Sequence, residues 1–232
     1  MAKTPAENPQ QPDETSPAIR ANFVKRSRSA KYDSDADLRG RLPDDILSLY
    51  ECHQWKHAAA IFATDFPNEL KDVVAVLRKV RLRKSFMTEP GGGKSLYAQA
   101  IDKAFREKGW MPQRFNTAIV VDEQKTLSPT HEVDCFKNRI AIELEWSNKD
   151  PFYDRDLNNF RLLFDLRVIS VGVIITKSDE LAGLLSDLGV WDKYGTTTTW
   201  MSKLLPRILG GGGGGCPLLV FGIRKGLYME DQ

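Results

Sequence analysis

The sequence predicts an α/β fold, a central mixed β-sheet flanked by helices, and three observations carry that prediction. The first part of the chain after residue 43 is apolar at helical spacing. The period then changes to two across His131–Phe136 and Ile140–Trp146. Val168–Thr176 is a run rich in β-branched residues, as expected of a strand covered on both faces. Helices first, then strands alternating with helices, place layers on both sides of a sheet.

Taken in order, residues 1–20 are rich in Pro, Asn, Gln, Glu, Ser and Thr and have almost nothing to bury, so they read as a disordered tail. Residues 20–39 alternate basic (Arg26, Arg28, Lys31) and acidic (Asp33, Asp35, Asp37) clusters, as a linker or loosely docked arm does. Residues 1–40 are therefore expected to lie outside a single domain over 41–232. Asp44–Ala63 reads as one helix behind Pro43, with Ile46, Leu47, Tyr50, Trp55, Ala58, Ala59 and Phe62 as its apolar positions. Glu69–Arg83 reads as a second, its face formed by Leu70, Val73, Val74, Leu77 and Val80. A loop at Glu89–Gly93 leads to a third, Lys94–Lys108, closed by Gly109. Thr117–Asp122 reads as a strand, Tyr153–Leu166 as a helix, and Asp179–Leu188 and Ser202–Leu209 as short helices. The six glycines Gly210–Gly215 form a flexible loop before a last strand, Leu218–Ile223.

Composition narrows the function classes. The 232 residues are 41% hydrophobic and 28% charged, and no run approaches the ~18 apolar residues that cross a bilayer. The start of the chain lacks the apolar stretch of a secretory signal. Three cysteines suit free thiols in a reducing cytoplasm. A net charge of +2 neither demands nor excludes a nucleic-acid partner.

The informative segment is His131-Glu-Val-Asp-Cys-Phe-Lys-Asn-Arg-Ile-Ala-Ile-Glu-Leu-Glu-Trp146. Lys137-Asn138-Arg139 is a polar, turn-prone break, so the segment predicts a β-hairpin. Parity sets Ile140, Ile142, Leu144 and Trp146 toward a core, shared with Val133 and Cys135. Ala141, Glu143 and Glu145 point the other way, with Glu132 and Asp134. A four-residue loop over Lys137–Ile140 places Asp134 opposite Glu143, and a two-residue loop is expected to shift it by one pair on the same face. Carboxylates facing one another destabilise a sheet, and the pattern makes sense with a divalent cation among them. Hard cations take carboxylate and carbonyl oxygens, and the Leu144 carbonyl could add one. A plain polar outer face is the bland alternative.

Asp134, eight residues, then Glu143-Leu144-Glu145 resembles the PD-(D/E)xK nuclease core. The longer stretch Ile142-Glu-Leu-Glu-Trp-Ser-Asn-Lys-Asp-Pro-Phe-Tyr-Asp-Arg-Asp-Leu-Asn-Asn-Phe160 resembles the BglII/BstYI family of type II restriction endonucleases. In order, Gly91-Gly-Gly-Lys-Ser95, Gly109-Trp110, Gly172-Val-Ile-Ile-Thr176, Tyr194-Gly-Thr-Thr-Thr-Thr199 and Gly215-Cys-Pro-Leu-Leu-Val-Phe-Gly-Ile223 extend the likeness over about residues 45–225. The wider superfamily's lysine is replaced here by Glu145.

The resemblance implies a restriction-endonuclease-like fold and Mg²⁺-dependent hydrolysis of double-stranded DNA. Asp134, Glu143 and the Leu144 carbonyl would hold the Mg²⁺, and Glu145 would orient or deprotonate the attacking water. The expected site is a palindromic hexamer with a GATC core, AGATCT or RGATCY, cut to leave 5′ overhangs. It also implies a homodimer, a companion DNA methyltransferase and a prokaryotic cytoplasm. Ser147, Asn148 and Lys149 align with a base-contacting segment of such enzymes. Lys177, Ser178, Thr197 and Thr198 are further candidates for groove contacts, and Lys94 for a phosphate contact at a helix start. A structure-specific repair nuclease and a catalytically silent DNA-binding protein are the alternatives.

Other signals carry less. Pro90-Gly-Gly-Gly-Lys-Ser95 lacks the earlier glycine of a P-loop and has no strand before it, which excludes a nucleotide-triphosphatase reading. The basic run Leu77–Lys84 fits either a phosphate-binding patch or a solvated helix face. His131 has the opposite parity to Asp134 and reads as structural.

Overall fold

The computed structural model describes residues 38–89 and 93–231. The expected tail, nearly all of the linker and Pro90–Gly92 of the glycine-rich loop lie outside the described residues. Leu38 and Leu42 are buried in the main core, so burial begins within the segment expected to be loosely ordered.

The first expected helix is split. Helix α1 (Asp44–Leu49) carries Asp44 and Asp45 in its first turn, where they complement the helix dipole. Strand β1 (Tyr50–Trp55) follows, then helix α2 (Ala58–Asp65). Tyr50 and Cys52, two residues apart, are the buried positions of β1, and tertiary pairing overrides the helical spacing read across the longer segment. Six residues of β1 pair antiparallel with a sheet strand, from Tyr50 opposite Ile223 to Trp55 opposite Leu218. Lys56 and His57, at φ 53° and 57°, turn the chain back into α2.

Helix α3 (Pro67–Lys79) starts on its proline. Strand β2 (Leu82–Arg83) and helix α4 (Lys84–Thr88) follow. Helix α5 (Leu96–Arg106) is capped by Ser95, whose hydroxyl accepts the Ala98 N–H at 3.2 Å. Next come β3 (Met111–Gln113), β4 (Ala118–Val121), β5 (Gln124–Leu127), β6 (Val133–Lys137) and β7 (Ile140–Glu145). Then come α6 (Phe152–Asp165), β8 (Val171–Lys177), α7 (Leu181–Asp187), α8 (Trp191–Tyr194), α9 (Met201–Leu209), β9 (Leu218–Ile223) and β10 (Tyr228–Met229).

Six strands form the mixed sheet in the order β1-β9-β8-β7-β6-β3, with β9, β8 and β7 parallel. The strand expected over Thr117–Asp122 does not join it. It pairs with β5 as a separate hairpin whose residues are all exposed. The basic run resolves toward the bland reading at three of its residues: Arg78 pairs with Asp45, Lys79 with Glu107 and Lys84 with Glu230. The three cysteines are buried free thiols.

Each side of the sheet has its own core. Ile140, Ile142, Leu144 and Trp146 pack in the larger one, with Val173, Ile175 and Phe221. Ala141, Ile174, Leu218 and Val220 pack in the smaller one, under α6 and α9. Val133 packs there too, while Cys135 packs in the larger, so the two do not share a face as parity predicts. The β3–β6 pairing shifts register between Met111 and Gln113, the kind of irregularity that breaks alternation.

Helix α6 lies close to the sheet because Gly172 presents no side chain to it. A Cβ at Gly172 would lie 2.6 Å from Phe160 Cδ2 and 2.9 Å from Leu218 Cδ2. Within the Gly210–Gly215 loop Gly213 is buried, and a Cβ there would lie 2.6 Å from Leu218 Cδ1. Gly172→Ala is expected to destabilise the protein by about 1–3 kcal/mol through overpacking, measured by urea unfolding. An unchanged midpoint would contradict the close approach of α6.

Candidate active site

The hairpin turn sets the geometry of the site. Asn138 and Arg139 both have positive φ, 41° and 68°, as a two-residue turn matching strand twist requires. Lys137 pairs with Ile140, Phe136 with Ala141 and Cys135 with Ile142. One step further, Asp134 comes opposite Glu143, and there side chains replace the backbone ladder. The Asp134 N–H donates to Glu143 Oε2 at 3.3 Å, and the Leu144 N–H donates to Asp134 Oδ2 at 3.0 Å. Each carboxylate is thus fixed to the backbone of the opposite strand.

The carboxylate face is covered, not solvated. Helix α6 lies over it and brings Asp156. Glu143 and Glu145 are each 1% exposed and Asp156 is fully buried. Among the described residues, Glu143 Oε1, Glu145 Oε2 and Asp156 Oδ2 find no N–H or O–H donor, and the Glu145 and Asp156 carboxyls are close enough to share a proton. Orphaned buried carboxylate oxygens are costly. Burial pushes the pKa of all three groups up; Asp156 adds to the rise at Glu143 and Glu145, and Asp134 adds to it at Glu143. Arg155 offsets part of the negative charge, at 2.7 Å from Asp156 Oδ1 and 3.7 Å from Glu145 Oε1.

Sequence reasoning missed two members of this group. One ligand atom each of His131, Glu143 and Asp156 lies within 4.8 Å of the other two, an arrangement that could hold a metal ion. Burial, with Arg155 nearby, lowers the pKa of the His131 imidazole and favours its neutral form. Glu132 precedes β6 and is not in this group; Asp156 supplies the additional carboxylate. A signal for Asp156 was present. It falls on the buried stripe Tyr153, Asp156, Leu157, Phe160 of a helix, where an ionisable residue needs a reason.

The candidate DNA-contacting residues divide. Ser147, Asn148, Lys149 and Thr197 meet at one end of the sheet. Lys149 bridges to Thr198 through the backbone, and its ammonium donates to Thr197 Oγ1 at 2.9 Å. Asn148 Nδ2 donates to Glu145 Oε1 at 3.0 Å, which joins this loop to the carboxylate group. Lys177, Ser178 and Thr198 are buried and face inward, contrary to a groove contact. The Lys177 ammonium donates to the Trp146 carbonyl and lies 5.4, 6.0 and 4.9 Å from the ring centres of Trp146, Tyr194 and Trp200. Ser178 donates to Glu51 Oε2 at 2.6 Å, and Thr198 to the Tyr194 carbonyl at 2.9 Å. Lys94 stays exposed, pairing with Asp102 and lying 3.7 Å from Asp134 Oδ1.

A pH dependence follows. A carboxyl whose pKa is raised on folding holds its proton more tightly when folded. Its contribution is fully present below the ordinary glutamate range and is lost as pH rises toward the folded value, about 9 for Glu145. Within that window the wild-type protein, freed of divalent cations with EDTA, loses about 1 kcal/mol per pH unit through this group. Glu145→Gln cannot ionise, so in thermal melts it gains on wild type between pH 5 and pH 8. A gap independent of pH would contradict this.

Comparison with known proteins supplies the family. A search of curated proteins finds no match. The family model described as restriction endonuclease BglII/BglIII matches residues 50–223. That span runs from the first residue of β1 to the last of β9, the whole of the mixed sheet. Among the described residues no helix is long and apolar enough to cross a membrane. With three quarters of its length matched, the chain belongs to the BglII/BglIII restriction endonucleases, site-specific deoxyribonucleases acting on double-stranded DNA.

Proposed function

We propose that this restriction enzyme hydrolyses double-stranded DNA at a palindromic hexamer with a GATC core, AGATCT or RGATCY, leaving 5′ overhangs, and that Mg²⁺ is its cofactor. The observation that carries the reading is the set of buried carboxylate oxygens without donors at Glu143, Glu145 and Asp156, which suits a site completed by positive charge. Asp134, Glu143 and the Leu144 carbonyl would hold the ion, in the manner of the PD-(D/E)xK nucleases and of BstYI-like enzymes. When bound, a divalent cation supplies Lewis acidity toward the scissile phosphate and eases deprotonation of water.

The side chains do the rest. The Leu144 N–H orients Asp134, and the Asp134 N–H orients Glu143. Asn148 holds one oxygen of Glu145; the other, once nearby positive charge has drawn the proton off this carboxyl, would position the attacking water and take its proton. Water attacks phosphorus in line with the departing 3′ oxygen. Asn148 can pair bidentately with adenine, and Lys149 can reach guanine or a phosphate. Ser147 and Thr197 flank them. Exchanging the Asn148–Glu145 bond for a base contact would release Glu145 on recognition, coupling site reading to cleavage. A palindromic target requires a two-fold enzyme, hence a homodimer. A companion methyltransferase would protect host DNA in the cytoplasm of a prokaryote.

The test is digestion of unmethylated phage DNA by the purified chain, with Mg²⁺ or EDTA, followed by sequencing of every end. Discrete ends with 5′-GATC overhangs, found only with Mg²⁺, are expected. Ends scattered without sequence preference would overturn the proposed target. Asp134→Ala and Glu143→Ala are expected to abolish cleavage, and Glu145→Ala to slow it about 10²–10⁴-fold. Cleavage by Glu143→Ala at near the wild-type rate would overturn the assignment.

A further inference from the structure

We propose that His131, Glu143 and Asp156 form a divalent-cation site of their own, built for a first-row transition metal that accepts an imidazole nitrogen. It goes beyond the Mg²⁺ position assigned to Asp134, Glu143 and Leu144 and shares only Glu143 with it.

The chemistry of the donor set is the first argument. Ligand atoms of the three residues lie within 4.8 Å of one another, and they bring one imidazole and two carboxylates together. Imidazole suits Zn²⁺, Co²⁺ and their neighbours, whereas Mg²⁺ keeps to oxygen ligands and water. The second argument is what each carboxylate already does. Glu143 Oε2 takes the Asp134 N–H and Asp156 Oδ1 takes Arg155. One oxygen of each is therefore engaged and sets the direction of the other. Those other oxygens, Glu143 Oε1 and Asp156 Oδ2, are buried without a donor among the described residues. Asp134 offers no comparable oxygen on this side, since Oδ2 takes the Leu144 N–H and Oδ1 faces Lys94.

The surroundings hold the set in place. The His131 carbonyl accepts the Asn159 side-chain amide at 3.4 Å. Asn159 lies one turn beyond Asp156 on α6, so the histidine's backbone and the aspartate are carried by the same helix. Glu143 comes from the sheet beneath. Two carboxylates and a neutral imidazole, with Arg155 paired to Asp156 Oδ1, leave one negative charge for a cation to balance.

Co²⁺ alone, added to the metal-stripped full chain without DNA, tests this site independently of cleavage. The chain has three histidines, so paramagnetically shifted imidazole protons are readily assigned. One histidine is expected to show them in wild type, in His53→Gln and in His57→Gln, and also in Asp134→Asn. The signal is expected to disappear in His131→Gln. Co²⁺ affinity by calorimetry is expected to fall at least about tenfold in His131→Gln and in Asp156→Asn, the scale set by losing even an outer-shell partner. Absence of a shifted histidine in wild type, its persistence in His131→Gln or its loss in Asp134→Asn would each overturn the proposal. Failure of Mg²⁺-dependent cleavage would instead strike the Asp134 assignment, and the Co²⁺ readout would stand unaffected.

Discussion

Three carboxylates buried against one another carry the electrostatic cost around which this protein is arranged. Glu143 and Glu145 stand two residues apart on a central strand, and Asp156 closes over them from α6. In water such a group would be unremarkable in energy, but in a low-dielectric interior each added charge opposes the others. The fold answers in three ways. It gives one oxygen of each group a donor: the Asp134 N–H, the Asn148 amide and Arg155. It pushes the carboxyls toward their protonated forms. And it leaves an oxygen of each free, where positive charge can enter. Family membership explains why such a cost is retained, since restriction endonucleases generally work with divalent metal ions.

Packing far from the carboxylates decides whether they meet. Gly172 in β8 lets Phe160 approach the sheet, and Phe160 lies one turn beyond Asp156 on α6. The Lys177 ammonium, enclosed by Trp146, Tyr194 and Trp200, ties the end of β7 to α8 and the start of α9. That junction holds the Thr197–Thr198 loop beside Ser147–Lys149. Lys177, read from sequence as a candidate for DNA, is better understood as an internal support for the surface that carries Lys149.

The carboxylate hairpin was the most legible part of the chain. Alternation with a polar break set the faces of β7 and the facing of Asp134 and Glu143, although Val133 breaks the alternation and the two-residue turn at Asn138–Arg139 brings no shift of register. Alternation says nothing of what lies above a face, however, so the cover supplied by α6, and Asp156 with it, was not visible from the hairpin alone. Tyr50–Trp55 illustrates a second limit. The helical spacing of a longer segment takes in Tyr50 and Trp55, and pairing with the open edge of β9 overrides that spacing. Burial of Lys177 and Ser178 was hidden for a related reason. Polar side chains at the end of a buried strand face inward or outward according to the loops around them, and those loops come from distant parts of the sequence.

If positive charge completes the carboxylate cluster, the stability of the protein depends on divalent cations. The measurement is the unfolding midpoint of the full chain without DNA, in EDTA and in rising Mg²⁺ or Mn²⁺, for wild type and Glu143→Gln. A cation that binds only the folded state raises stability by about 2.7 kcal/mol at a hundredfold excess over its Kd. A rise of that kind is expected for wild type, little or none for Glu143→Gln, and a variant at least as stable as wild type in EDTA. A wild-type midpoint indifferent to divalent cations, or an equal rise in both proteins, would contradict completion of the cluster by a cation.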